Sequence, residues 1–274
     1  MAAFAAAALP AAAAGGEALW YLQVDNDVVF GTDRWYTSGV RLARLKDGFE
    51  TGLVQEIYTP EGKRWRVGVA DRRPTARLLA SFAWHDIAPG MFQTLELMAG
   101  VRGPAAGGRG STQAIHHVIP APPVDWSREP GNAFDGTVVA MRSLAMGALR
   151  LHYGAQVGSQ LIFGHAGAEW RWGEGASRLL RFAATPDIAP GLSRWSAFVG
   201  TSVRGVARDE LLSGNYDPGA PRISRRDAVA RAATGVAWRG AWGSLTFEVA
   251  MDTREFDAQR VPHAFGSLAL QASF

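Results

Sequence analysis

The 274-residue chain has no cysteine, so disulfides and thiolate metal sites are excluded. Charge of one sign is scarce too: 28 Lys and Arg stand against 25 Asp and Glu, a net charge of only +3. No basic run is interleaved with aromatics, which argues against nucleic acid as a partner. Beyond residue 16 no apolar run reaches the about eighteen residues that a spanning helix needs. Barrel strands escape that test, because each carries only about half as many apolar residues. G-x-S-x-G and H-E-x-x-H are both missing, which removes the signatures of the serine hydrolases and the zincins.

What is present is apolar and punctuated: 47% hydrophobic residues, 10 Trp, 13 Phe and 32 Gly. Residues 1–16, MAAFAAAALPAAAAGG, form a small-residue tract with A-x-A sites, either the end of a secretory leader or a disordered tail. That leaves 17–274 as one domain. The patterned segments alternate with period two. In SLTFEVAM, Leu245, Phe247, Val249 and Met251 share one face; in SLALQASF, Leu268, Leu270, Ala272 and Phe274 do the same. Near the start, Trp20, Leu22 and Val24 alternate with Tyr21, Gln23 and Asp25. Matching one-sided strands at the two ends are what a closed barrel needs where its edges meet. Similar segments near 39–45, 51–58, 77–85, 92–101, 135–143, 147–154, 158–172, 177–184, 195–207 and 228–238 bring the count to roughly twelve strands. Small residues on the presumed inner faces suit a narrow lumen. A soluble sandwich or lipocalin-like barrel shares this periodicity. The C-terminal Phe, the leader-like start and the many Trp favour an all-β, transmembrane antiparallel barrel with a short helix in an extracellular loop.

Three segments are more polar than strand packing requires. In VDNDVVFGTDRWYTSG (24–39), Asn26 continues the lipid-side stripe of Trp20, Leu22 and Val24, marking where the strand leaves the hydrocarbon. Residues 100–134 form a long, mostly non-strand stretch in which STQAIHHVI predicts a short helix capped by Ser111 or Thr112. Residues 252–267 read as a solvated final loop. Together these segments supply hard oxygen ligands (Asp25, Asn26, Asp27, Thr37, Glu129) and a nearby base, a set that selects calcium over transition metals.

Long stretches of the chain also resemble the outer-membrane lipid A deacylases. NDVVFGTDRWYTSGVRL is similar to that family's N-D-x(4-5)-T-D-R-x-Y-T-N-G opening, and QEIYTPEG to its I-Y-T-P-E-D segment. LELMAGVRGPAAGGRGSTQAIHHVI, DWSREPG and TREFDAQRVPHAFGSLALQASF resemble its later motifs, in the same order. Thr112 stands where the family has glutamine, DRRPTARL replaces D-R-P-Y-A-G, and DWS shortens G-W-x-x-Q-L.

The resemblance implies a twelve-stranded outer-membrane barrel with its site near the extracellular rim. It implies a calcium-dependent esterase, monomeric among outer-membrane lipids, that removes the 3′ acyloxyacyl group of lipid A in lipopolysaccharide. Matched residue by residue, Asn26, Asp27 and Thr37 fall on catalytic positions, His116 on the catalytic histidine, and Asp27 with Glu129 on calcium ligands. The alternative is a non-enzymatic barrel, a small pore or structural protein of the same membrane with a decayed site.

Overall fold

A computed structural model describes residues 18–32, 34–62, 64, 71–88, 90–118, 121–173, 194–213, 223–240 and 243–273. The expected leader, the strand near 177–184 and Phe274 lie outside the described residues. Among the described residues, twelve strands form one closed barrel. They are β1 (Leu19–Asn26), β2 (Trp35–Lys46), β3 (Phe49–Thr59), β4 (Thr75–Ala88), β5 (Met91–Arg102), β6 (Ala133–Met146), β7 (Leu149–Gly158), β8 (Leu161–Trp172), β9 (Arg194–Asp209), β10 (Ala228–Gly240), β11 (Gly243–Asp252) and β12 (His263–Ser273). Each strand pairs antiparallel with its neighbours in sequence, and β1 closes on β12 with Leu19 opposite Ser273 and Asn26 opposite Gly266. The matching end strands of the sequence do meet.

Alternation fixes which side chains meet lipid. On β1, Trp20, Leu22 and Val24 are exposed, while Tyr21, Gln23 and Asp25 are buried. The outward belt continues through Leu42, Leu53, Phe82, Leu95, Leu97, Phe247 and Leu268. Exposed apolar faces on every side of a polar lumen define a chain whose solvent is a bilayer. The two-residue turns Asp47–Gly48 and Gly147–Ala148 lie at one end, where residues 173–193 also join β8 to β9; the β1–β2, β3–β4, β5–β6, β9–β10 and β11–β12 connections lie at the other, read as the extracellular end of such barrels.

The lumen is narrow enough for side chains from different strands to meet in it. It is crossed by charged side chains packed against one another. Arg41 pairs with Glu50 and, at 2.7 Å, with Glu96, while His85 Nε2 lies 3.1 Å from Glu50. Arg77 bridges Glu56 at 2.8 Å and Asp135 at 2.6 Å. Glycine and serine on the wall make room for long side chains rather than for water.

Nearer the outer mouth, Arg231 grips Asp252 with two hydrogen bonds of 2.6 and 2.7 Å. Around it, Tyr36, Tyr58, Leu211, Phe265, Ala233 and Ala250 form one apolar cluster, and Trp35, Leu212, Ile223 and Phe256 form another. Leu211 and Leu212 come from a short helix, Glu210–Ser213, in the β9–β10 connection. The final loop, expected to be solvated, therefore folds inward instead. Phe256 and His263 are each 1% exposed, and His263 Nε2 lies 3.1 Å from the Tyr36 carbonyl. Aromatic rings exclude water from that end better than the loop's charges attract it.

Breaking the Arg77 bridge strands two buried carboxylates. Arg77→Ala is therefore expected to lose about 3–5 kcal/mol of stability, measured as a fall in the urea midpoint of the heat-modifiable folded form.

Candidate functional site

The site begins where β1 leaves the membrane. Asn26 Oδ1 accepts the Val28 N–H at 2.7 Å and folds the chain into a 3-10 turn over Val28–Phe30. Asp27 is wholly buried; its Oδ2 accepts from Thr32 Oγ1 at 2.9 Å and from the Arg34 N–H at 2.8 Å. Its own N–H donates to the Thr37 carbonyl at 3.3 Å. The carboxylate thus ties the end of β1 to the start of β2.

β2 starts irregularly. Trp35, fully buried, has φ of 61°, a region that bulky side chains rarely adopt. The β2–β3 register then shifts between Tyr36 and Ser38, leaving Thr37 as the extra, bulged residue. A bulge re-aims side chains next to it. Thr37 Oγ1 lies 2.6 Å from Thr59 Oγ1, either of which can donate.

The second wall is a helix, α1 (Gly108–Val118), in the β5–β6 connection. It begins three residues before Ser111, so neither Ser111 nor Thr112 caps it. Thr112 Oγ1 instead turns back to the carbonyls of Gly108 and Arg109, each at 3.0 Å. Ser111 Oγ donates to Gln55 Oε1 at 2.9 Å, and Gln55 Nε2 donates to the Ala106 carbonyl at 2.7 Å. Glu56 and Tyr58 face the lumen, so Gln55 and Ile57 of β3 face outward. The helix and its loop therefore lie on the outside of the barrel, over a buried cluster of Ile57, Ala76, Ala106 and Trp126. Close approach depends on Gly108, where a Cβ would come within 2.4 Å of the Ala76 Cβ and 2.7 Å of the Trp126 ring.

Between these walls lies a cleft of about 350 Å³ including its open mouth, lined by Asn26, Val28, Thr37, Ser38, Thr112, Ile115, His116 and Ala121. The fold brings Asn26, Thr37 and His116 together although 79 residues separate Thr37 from His116 in sequence. His117 is exposed. Asp27 sits one residue behind the cleft wall. Glu129 does not line the cleft; the charge acting on it is Arg109, in the first turn of α1. Ser38, Ile115 and Val28 carried no sequence assignment, and only the i, i+3, i+4 spacing of Thr112, Ile115 and His116 hinted at a shared helix face.

Calcium needs oxygen donors, and the surroundings offer amide, hydroxyl and carboxylate oxygens. Glu129 Oε1 is buried with no hydrogen-bond partner among the described residues, and burial pushes its carboxyl up to about 7. That is the behaviour of a carboxylate lacking a full countercharge, and it fits a hard cation. Among the described residues no three His, Asp or Glu side chains form a metal-holding group, so such an ion would draw most of its shell from neutral oxygens.

A closed, lipid-facing barrel of this topology is an outer-membrane protein. The chain belongs to the family of outer membrane protein LpxR, the lipid A deacylases, whose model matches residues 1–274. Its fold is similar to that of LpxR from Salmonella typhimurium, with a TM-score of 0.77 and 21% identity, covering 94% of this chain and 100% of that one. The translocator domain of autotransporter NalP from Neisseria meningitidis is more distant, with a TM-score of 0.42 and 9% identity over 95% of this chain and 89% of that one. No curated protein sequence matches the chain significantly.

Two outcomes are expected. Gly108→Val, which lifts α1 off β4, should lower turnover by up to about a hundredfold while the heat-modifiable barrel still forms. Glu129 has a folded pKa of about 7, above the ordinary 4.5, so its contribution favours folding below 4.5 and is lost as pH rises through 7. With calcium chelated, Glu129→Gln should therefore unfold at a higher temperature than the parent at pH 8 and at the same temperature at pH 4.

Proposed function

We propose that this barrel hydrolyses the 3′-linked acyloxyacyl chain of lipid A, with His116 as general base and calcium as electrophile. The observation that carries the reading is the place of the cleft: His116 and the polar groups of Asn26, Thr37 and Ser38 meet on the outer wall, beside the lipid belt. An acyl ester held there keeps its chains in the outer leaflet while its carbonyl reaches the base.

His116 removes a proton from a water molecule as the water oxygen attacks the ester carbonyl carbon. The proton then passes to the sugar oxygen as the acyl carbon–oxygen bond breaks, leaving a free acyloxyacyl acid and a sugar hydroxyl. Asn26 and Thr37 position the ester and the attacking water, and Asp27 holds both strand ends in place. When bound, calcium would supply positive charge to polarise the carbonyl, with Asp27, just behind the cleft wall, and Glu129, outside the cleft lining, as the carboxylates the resemblance offers to hold it.

Against the alternative of a small pore stands the packed lumen, crossed by the Arg41 and Arg77 ion pairs and capped by aromatic clusters. Mass spectrometry of lipid A from expressing cells is expected to show loss of the 3′ acyloxyacyl group, and chelation of calcium should abolish it. His116→Gln should reduce turnover by about 10²–10⁴-fold, and Asp27→Ala should reduce it as well. An unchanged lipid A spectrum on expression of the parent protein, or full activity in His116→Gln, would refute the assignment.

A further inference from the structure

Each wall of the cleft carries both kinds of chemistry, Val28 beside Asn26 on the strand side and Ile115 beside His116 on the helix side. Asn26, Thr37, Ser38 and His116 are its polar lining residues; Val28, Ile115 and Ala121 are its apolar ones. Because the Thr112 hydroxyl is spent on two helix carbonyls, Thr112 adds to the apolar lining.

The apolar lining does not end at the cleft. Val28 belongs to the 3-10 turn whose residues Val28, Val29 and Phe30 are exposed by 37%, 54% and 43%. This turn is folded down against the outer wall of β12, where a Cβ on Gly266 would lie 2.9 Å from Val29 Cγ2. Gly266 sits on the lipid side of β12, next but one to the exposed Leu268. Three apolar residues turned outward beside a barrel rim have no solvent reason to be there; bilayer lipid supplies one. Opposite them, α1 carries Ile115 in the cleft and ends on Val118, 79% exposed. Beneath, Val24, Leu42 and Leu268 continue the same surface into the belt.

We propose that the Val28–Phe30 turn and the last turn of α1 are two jaws that receive the fatty-acyl chain being released, with Val28 and Ile115 as the residues that select its length. The inference rests on the deacylase reading above and adds to it which part of the substrate lies where. The occupant is an acyl chain because the cleft shares Val28 with an exposed apolar turn that packs on the lipid side of β12, and because Val28, Ile115 and Ala121 carry no charge. A long chain runs from the ester at His116, past Val28 and Ile115, out between Phe30 and Val118 into the outer leaflet. A short chain leaves the jaws empty and forfeits that burial.

The test is competition in mixed micelles between two synthetic lipid A analogues that differ only in the hydrolysed chain, butanoyl against tetradecanoyl, with products read by mass spectrometry. The parent protein is expected to release tetradecanoate in preference. Val28→Thr preserves shape but inserts a hydroxyl, Ile115→Thr inserts one and also removes the terminal methyl, and combined they should lower the long-to-short product ratio by at least about tenfold. Heat-modifiable mobility reports the folded barrel, and because the two residues lie on separate elements, each single variant gives its own reading. Equal release of both chains by the parent, or a parental ratio in both single variants and the double, would overturn the proposal. If the parent releases neither chain while the lipid A spectrum is also unchanged, the deacylase reading fails and takes the jaws with it.

Discussion

Every backbone N–H and C=O that lies in hydrocarbon must find a partner inside the protein, and this requirement organises the molecule. Strands meet it only by closing into a cylinder. Here closure falls to β1 and β12, with β1 paired along its whole length from Leu19 opposite Ser273 to Asn26 opposite Gly266. Closure then creates an interior that has to be filled. Arg41, Arg77 and Arg231 fill it, each held by carboxylates from other strands, so that burial of charge is offset by pairing. A lumen occupied in this way leaves the outer wall as the surface for chemistry on lipid.

The site is assembled by two departures from regular strand geometry. One is the bulge that sets Thr37 out of register, with Trp35 held at positive φ just before it and Asp27 bonding across the turn. The other is the long β5–β6 connection, which lays α1 against the outer wall of β3 and β4 with Gly108 at the point of contact. Both departures lie at the extracellular end, where loops are free of the pairing that the hydrocarbon imposes. His116 consequently sits at the boundary between the lipid belt and water, the level at which the ester of a membrane glycolipid is found.

Apolar packing reaches the mouth of the barrel as well. Residues 252–267 are rich in charge, and composition alone favours a solvated loop. Phe256 nonetheless packs edge-on against Trp35 at 6.2 Å between centroids, and His263 lies between Trp35 and Phe265. The charges are taken up by pairing, Arg72 with Glu255 at 2.8 Å among them. This lid braces β2 from within while α1 covers its neighbours from outside.

Much of this was legible in residue order. Period-two alternation is a local property of the strand, so Trp20, Leu22 and Val24 against Tyr21, Gln23 and Asp25 reveal the two faces without any knowledge of partners. The motif resemblance names His116, and the fold lines the cleft with His116 while its neighbour His117 is exposed. Other features depend on contacts between distant parts of the chain. Helix α1 starts at Gly108 because Ala76 and Trp126 receive it there, which no capping rule for Ser111 could reveal. The displacement of Thr37 exists only in the pairing of β2 with β3, and the apolar jaw at Val28–Phe30 only in its packing over Gly266. The sequence by itself determined the barrel and its lipid-facing stripes, because those follow from neighbours along one strand; only the tertiary structure decided which polar residues share the cleft, because that is set by register, bulge and the seat of a helix on a wall far away in sequence.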